Sequence, residues 1–229
     1  MNLKNKIIVI TGGSSGLGEA LARASAQQGA RVIITSKNSS RLKKLAKELG
    51  LLTVVADVTK ENQVKRVVNA ALKAYGRIDI WINNAGISMD QGPLESLDLA
   101  QARAVMEVNY FGTLIGCRQA LRALSRGGTI VNILSLGCFN PHPNAMSVNY
   151  YASKFAADAL TRSLQPTLKE RKIKVIGVYP GGIKTFLRGL RRRVNYREFM
   201  DPDYVARRIV SNLQRSTPRQ QQKIWKPSS

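Results

Sequence analysis

The chain has 229 residues, 44% of them hydrophobic, and carries 36 Lys and Arg against 14 Asp and Glu, for a formal charge of +22. That length and apolar content support one well-buried core, and no Gly/Ser/Pro-rich linker divides it, so a single domain over 1–229 is expected. One histidine, His142, excludes a histidine-rich metal centre.

Cys117 and Cys138 have neither metal-ligand spacing nor a secreted context, so both are expected as reduced thiols. The first apolar run, Ile7 to Ile10, is too short for a signal-peptide core, and no later run approaches bilayer length, so a cytoplasmic location is expected. The positive charge would draw polyanions such as nucleic acid, anionic lipid or acidic carrier proteins. Its Lys and Arg are nevertheless scattered and form no nucleic-acid-binding motif, which favours solvated helix faces, with nonspecific polyanion binding as a by-product.

Lys6 to Thr11 form a short β-branched run that enters Gly12, Gly13, Ser14, Ser15, Gly16, Leu17 and Gly18, followed by a helical pattern through Leu21 and Ala24. Strand, glycine-rich turn and helix suit a pyrophosphate, because glycines admit close backbone approach and the helix N-terminus offers unpaired N–H groups. A tight turn without a ligand is the alternative. Gly29 closes the helix, and Arg31 to Thr35 make a second strand. An acid just after that strand would bind a ribose 2′-hydroxyl and repel a 2′-phosphate, but the chain has Ser36, Lys37 and Asn38, with Arg41 close behind. NADP is therefore favoured over NAD, with Lys37 toward the phosphate.

A basic amphipathic helix is predicted over Ser39 to Leu49, then a strand over Leu52 to Ala56 ending at Asp57 and Val58. Asp57 either contacts an adenine amino group or pairs with Thr59 to start the next helix, which stops at Gly76. A strand over Ile78 to Ile82 enters Asn83, Asn84, Ala85 and Gly86, small and amide residues suited to the ligand crevice of an open sheet. One long helix is predicted over Leu99 to Leu124, holding Asn109 among apolar neighbours where its amide needs partners.

Gly128 to Leu134 read as a fifth strand with Ser135 at its end, and a loop through Pro141, His142 and Pro143 leads to a helix from Tyr150 to Arg171. Tyr150 and Lys154 share a face of that helix. A tyrosine ordinarily ionises near pH ~10, so a neighbouring ammonium would be needed to favour its phenolate. Ile173 to Tyr179 form a sixth strand that ends in Pro180, Gly181, Gly182, Ile183, Lys184 and Thr185. Beyond lie Arg188, Arg191, Arg192 and Arg193, read as a flap over about 185–200, an amphipathic helix touching anionic lipid or an acidic carrier, or a solvated basic helix. A last helix starts at Asp201, and Gln222 to Lys226 add a short edge strand. Six strands alternating with helices predict an α/β fold with a doubly wound parallel sheet.

This ordered set resembles the short-chain dehydrogenase/reductase family from Lys6 to about Thr185. Thr11 to Gly18 resemble its cofactor loop, Asp57 its adenine-contacting acid, and Asn83 to Gly86 its Asn-Asn-Ala-Gly motif. Asn109, Ser135, Tyr150 and Lys154 fall where the family keeps four catalytic residues, and Pro180, Gly181, Ile183 and Thr185 resemble the segment that holds the nicotinamide carboxamide. The resemblance implies a Rossmann-type fold and hydride transfer between NADP, or less readily NAD, and a carbonyl or alcohol substrate. It also implies assembly as a homodimer or homotetramer through the helices around Asn109 and after Tyr150. In these roles Tyr150 is the general acid/base, Ser135 fixes the substrate oxygen, Lys154 lowers the Tyr150 pKa and holds the nicotinamide ribose, and Asn109 orders a relay water. Tyr151, three residues from Lys154, is the rival acid. A non-catalytic NADP-binding scaffold or sensor is one alternative function, and its expected mark would be the loss of Ser135, Tyr150 or Lys154; a basic protein that associates with nucleic acid or anionic lipid is the other.

Overall fold

The computed structural model describes residues 2–88, 94–139, 148–185 and 199–226. Seven strands, β1 (Ile7–Thr11), β2 (Arg31–Ser36), β3 (Leu52–Val55), β4 (Ile78–Asn83), β5 (Leu124–Ile133), β6 (Lys174–Pro180) and β7 (Gln221–Ile224), form one sheet in the order β3-β2-β1-β4-β5-β6-β7. Every strand pair is parallel. The helices are α1 (Gly16–Gln27), α2 (Ser39–Leu49), α3 (Glu61–Tyr75), α4 (Leu99–Met106), α5 (Gly112–Ala123), α6 (Val148–Thr167) and α7 (Pro202–Gln214). Side-chain caps start three of them: Asn38, Asp98 and Asp201 each accept from backbone N–H groups of the first turn.

Strand side chains alternate between two cores. Ile8 and Ile10 of β1 pack with Leu21, Leu42, Leu45, Val205 and Ile209, so α1, α2 and α7 cover one face. Ile7 and Val9 pack with Val64, Val67, Cys117 and Ala120, which places α3 and α5 on the other. With both faces covered, the central strands are continuously apolar, which is why they read as runs rather than as alternating patterns. Strand order reverses direction between β1 and β4, and the crevice opens at the carboxyl ends of those two strands.

Three predicted elements differ. The single helix expected over Leu99 to Leu124 is α4 and α5 joined by a π-helical turn, Glu107–Phe111, in which the Gly112 N–H bonds the Glu107 carbonyl five residues back. β5 starts at Leu124 rather than Gly128, because its register against β4 slips between Ile78 and Ile80. α6 ends at Thr167 instead of Arg171; Pro166 in its last turn has no N–H to continue the ladder. Beyond Thr185, the expected flap with Arg188, Arg191, Arg192 and Arg193 lies outside the described residues, as does His142. A parallel bridge between Ile183 and Met200 joins the chain on the two sides of that segment. No helix among the described residues is long and apolar enough to cross a membrane.

Candidate active site

The glycine turn between β1 and α1 is held by side chains from β1 and β4. Thr11 Oγ1 accepts from the Asn84 N–H (3.0 Å) and the Ala85 N–H (3.1 Å), while Asn84 Nδ2 donates to the Thr11 carbonyl (3.0 Å) and the Gly12 carbonyl (3.3 Å). These two predicted cofactor residues thus spend their polar atoms shaping the crevice wall. Gly12 has φ +64°, and a Cβ there would stand 2.8 Å from Ala85 Cα. A Cβ on Gly18 would strike the Gly12 carbonyl. Two backbones therefore approach as only glycine permits, beneath the N-terminal N–H groups of α1, and this concave cradle fits a dinucleotide pyrophosphate. Gly16 touches the far wall, since a Cβ on it would lie 2.9 Å from Thr185 Cγ2. Residues Ser15 and Leu17 occupy the start of α1 between them.

At the end of β2, Lys37 Nζ lies 3.4 Å from an Asp57 carboxylate oxygen, so two predicted cofactor contacts are paired with each other. The other Asp57 oxygen accepts from the Thr59 N–H (3.0 Å) and Thr59 Oγ1 (2.9 Å). Burial raises the Asp57 pKa, but the Thr59 hydrogen bonds and the Lys37 charge outweigh it and hold the carboxyl below its ordinary value. Val58, next to it, is buried against Gly112, where a Cβ would meet Val58 Cγ2 at 2.9 Å. Ser14 Oγ donates to Ser36 Oγ (2.8 Å), closing the first turn onto β2. A cavity of about 300 Å³ beside this pair is lined by Ser14, Ser15, Glu19, Arg41, Lys44 and Leu45. Arg41 therefore borders the glycine turn more openly than Lys37 does.

Across the crevice, Ser135 follows β5 and Tyr150 sits in the first turn of α6. Ser135 stands close enough to the phenol to pull its pKa down, and the Gly137 N–H donates to Ser135 Oγ (3.2 Å) and fixes where that oxygen stands. Burial outweighs that pull and pushes the Tyr150 phenol up to about 12. Lys154 is 5% exposed, and burial brings its ammonium down to about 8. Its Nζ donates to the Ile133 carbonyl (2.8 Å) and stands 5.8 Å from the centre of the Tyr150 ring. Desolvation is thus the largest influence on Tyr150 in this geometry. Tyr151 lies against Gly137, whose added Cβ would collide with the Tyr151 ring.

Asn109 is fully buried in the π turn. Its Oδ1 accepts from the Ile87 N–H (2.8 Å), and its Nδ2 donates to the Ile87 carbonyl (2.9 Å) and to Ser153 Oγ (2.9 Å). Gly86 is close by, since a Cβ on it would lie 3.3 Å from Asn109 Oδ1 and 3.5 Å from Lys154 Nζ. Pro180, Gly181 and Ile183 line up at the end of β6, and the Gly181 N–H bonds the Ile224 carbonyl (3.0 Å).

The short-chain dehydrogenase family matches the chain over residues 6–194. The chain belongs to that family. An uncharacterized oxidoreductase of Staphylococcus saprophyticus is 31% identical over 93% of both chains. One of Bacillus subtilis is 34% identical over 80% of this chain, which spans only 53% of that longer relative. Among solved structures, a 3-ketoacyl-(acyl-carrier-protein) reductase from Brucella melitensis complexed with NADH superposes with a TM-score of 0.87 at 27% identity, covering 97% of this chain and 98% of that one. An alcohol dehydrogenase from Thermococcus sibiricus complexed with 5-hydroxy-NADP gives 0.87 at 26%, over 99% and 100%. This short-chain dehydrogenase is accordingly a nicotinamide-dependent oxidoreductase with a Rossmann-type fold.

Within the family fold, the chain gathers Ser135, Tyr150, Lys154 and Asn109 on the β5 side of the crevice, and the glycine turn with Asn84 to Gly86 on the β1 side. It leaves Lys37 and Asp57 on the periphery, bound to each other. Sequence reasoning overlooked Ser153 and the Ile133 carbonyl. A serine one residue before Lys154 carries no signal until the π turn brings Asn109 against it.

Proposed function

We propose that this chain reduces a carbonyl compound, or oxidises the matching alcohol, with NADP as the hydride partner and Tyr150 as general acid/base. The observation that carries this reading is the convergence of Tyr150 and the anchored Ser135 on the buried Lys154, across the crevice from a glycine-built cradle. Bound there, the nicotinamide supplies or accepts a hydride. The backbone of Gly12, Ser14, Ser15, Gly16, Leu17 and Gly18 holds the pyrophosphate, and Ala85 and Gly86 form the wall opposite. Pro180, Gly181, Ile183 and Thr185 are assigned to the nicotinamide end.

In the reductive direction Tyr150 donates its proton to the oxygen of the developing alkoxide, while Ser135 hydrogen-bonds the same oxygen. A phenol pushed up to about 12 stays protonated through neutral pH, which suits a proton donor. Lys154 keeps a positive charge near that oxygen and, through its ribose contact, aligns the cofactor with Tyr150. Asn109 is the proposed support of the proton-relay water.

For the 2′-phosphate, the chain offers no acid at the end of β2 and offers Lys37 with Arg41 and Lys44 bordering the adjacent cavity. The NADP complex of the Thermococcus enzyme agrees with this choice, and the NADH complex of the Brucella enzyme keeps NAD as the competing one. Assembly as a dimer or tetramer is proposed through the outer faces of α4 to α6, where Leu99 (63%), Phe111 (40%) and Phe155 (41%) are exposed apolar side chains. A cytoplasmic location fits the expected thiol state of Cys117 and Cys138, both free and buried.

The test is a panel of ketones, aldehydes and acyl thioesters, read by nicotinamide absorbance with NADPH and NADH separately. Oxidation of NADPH by at least one member is expected. No oxidation of either cofactor by any member sinks the reductase reading, and a clear NADH preference removes the 2′-phosphate role.

A further inference from the structure

We propose that Ser153 is a positioning residue that sets the Tyr150–Ser135 geometry by tying the first turn of α6 to the π turn. The proposal rests on the reductase reading above for its kinetic consequence, though not for its geometric one.

Ser153 has no exposed surface, and a serine inside a helix carries a polar atom that burial penalises unless it is bonded. Both capacities of its hydroxyl are used. Oγ donates to the Tyr150 carbonyl at 2.7 Å and accepts from Asn109 Nδ2 at 2.9 Å. The remaining polar capacity of the Asn109 side chain goes to Ile87. Its backbone carbonyl accepts from Thr113 Oγ1 (2.8 Å), which steadies the π turn from the α5 side. Two segments thus meet on this hydroxyl, the π turn and the turn of α6 that bears Tyr150, and the Asn109 side chain extends the tie to the loop after β4.

The neighbouring residue does the same on the other flank, since Lys154 Nζ bonds the Ile133 carbonyl at the end of β5. Consecutive side chains therefore hold α6 at two points, one on the π turn and one on the end of β5, and together they resist rotation of the helix about its axis. Such rotation would carry the Tyr150 hydroxyl away from Ser135, which is anchored separately through the Gly137 N–H. Proton transfer is sensitive to this, because a misplacement of ~1 Å in a reacting group can cost about a hundredfold in rate. The π turn gains a purpose here: its extra residue swings Asn109 inward far enough to reach α6 and the Ile87 backbone at once.

The experiment compares Ser153→Ala, Ser153→Cys and Ser153→Thr with the wild type by crystal structure, kcat and NADPH affinity. Ala removes the acceptor and Cys weakens it at similar volume, whereas Thr keeps it. The Ala and Cys structures are expected to show Asn109 displaced and the Tyr150–Ser135 distance lengthened. Their kcat should fall about 10- to 100-fold with the NADPH Kd within about twofold, and Thr should recover most of kcat. If Ala does not fold, Cys carries the comparison. An unchanged Tyr150–Ser135 distance overturns the proposal, as does kcat within about twofold of wild type or an equal loss in Ala, Cys and Thr. A wild type inactive on the whole panel would remove the reductase reading alone, and the crystallographic distance would still decide the tether.

Discussion

Replacing Lys154 with Met should stabilise the protein at neutral pH while removing its turnover. Burial lowers the Lys154 pKa from an ordinary 10.5 to about 8, so the folded state binds this proton more weakly than the unfolded chain does. Each tenfold change in proton affinity is worth about 1.4 kcal/mol, and the charged lysine therefore costs the fold about 3 kcal/mol at pH 7. The sign follows from a depressed value: the penalty is absent above the unfolded pKa, grows as pH falls from there toward the folded one, and is complete below it. Met relieves it but forfeits the hydrogen bond to the Ile133 carbonyl, worth ~1 kcal/mol, for a net gain of about 2 kcal/mol. Urea unfolding at a series of pH values should show Lys154→Met the more stable below pH ~8, with the advantage vanishing by pH ~10. A variant less stable than wild type at pH 7, or a difference independent of pH, would refute the argument that burial governs this amine.

Three further outcomes are expected. Tyr150→Phe should lower kcat by at least about a hundredfold, whereas Tyr151→Phe, which alters a ring packed on Gly137, should keep most of it; the reverse result reassigns the acid. Arg41→Ala should raise the KM for NADPH about tenfold with little effect on NADH, measured by initial rates, and equal effects on both would detach Arg41 from the 2′-phosphate. Asn132 is wholly buried, accepts from Asn83 Nδ2 (2.8 Å) and donates to Thr161 Oγ1 (2.9 Å), so Asn132→Ala should cost about 2–4 kcal/mol in denaturant unfolding; a loss below ~0.5 kcal/mol would mean that the amide chain is dispensable.

The sheet and its helices were legible because each depends on a contiguous pattern: a β-branched run, a helical period, or a stop at Gly76. The same holds for the glycine turn and for the Tyr150–Lys154 spacing. Contacts through space were not legible. Lys37 reads as a free cation after β2, and only the fold shows Asp57 beside it at the end of β3. The π turn escaped because one added residue barely disturbs the apolar period of a long helix, yet it decides where Asn109 points. The early start of β5 escaped because it depends on pairing with Ile78 of a distant strand. Spacing puts Lys154 near Tyr150, but the desolvation that raises the Tyr150 pKa depends on burial, which spacing does not encode.

Strand order also divides the labour of the crevice. The cradle and its Asn84–Gly86 wall grow from β1 and β4, which are flanked by strands on both sides and covered by helices on both faces. They should be among the last segments to open in native-state hydrogen exchange. Lys37 and Asp57, which pair with each other, follow β2 and β3, nearer one rim of the sheet. Substitutions near that rim should therefore perturb the central glycine turn less than substitutions on β1 or β4 would.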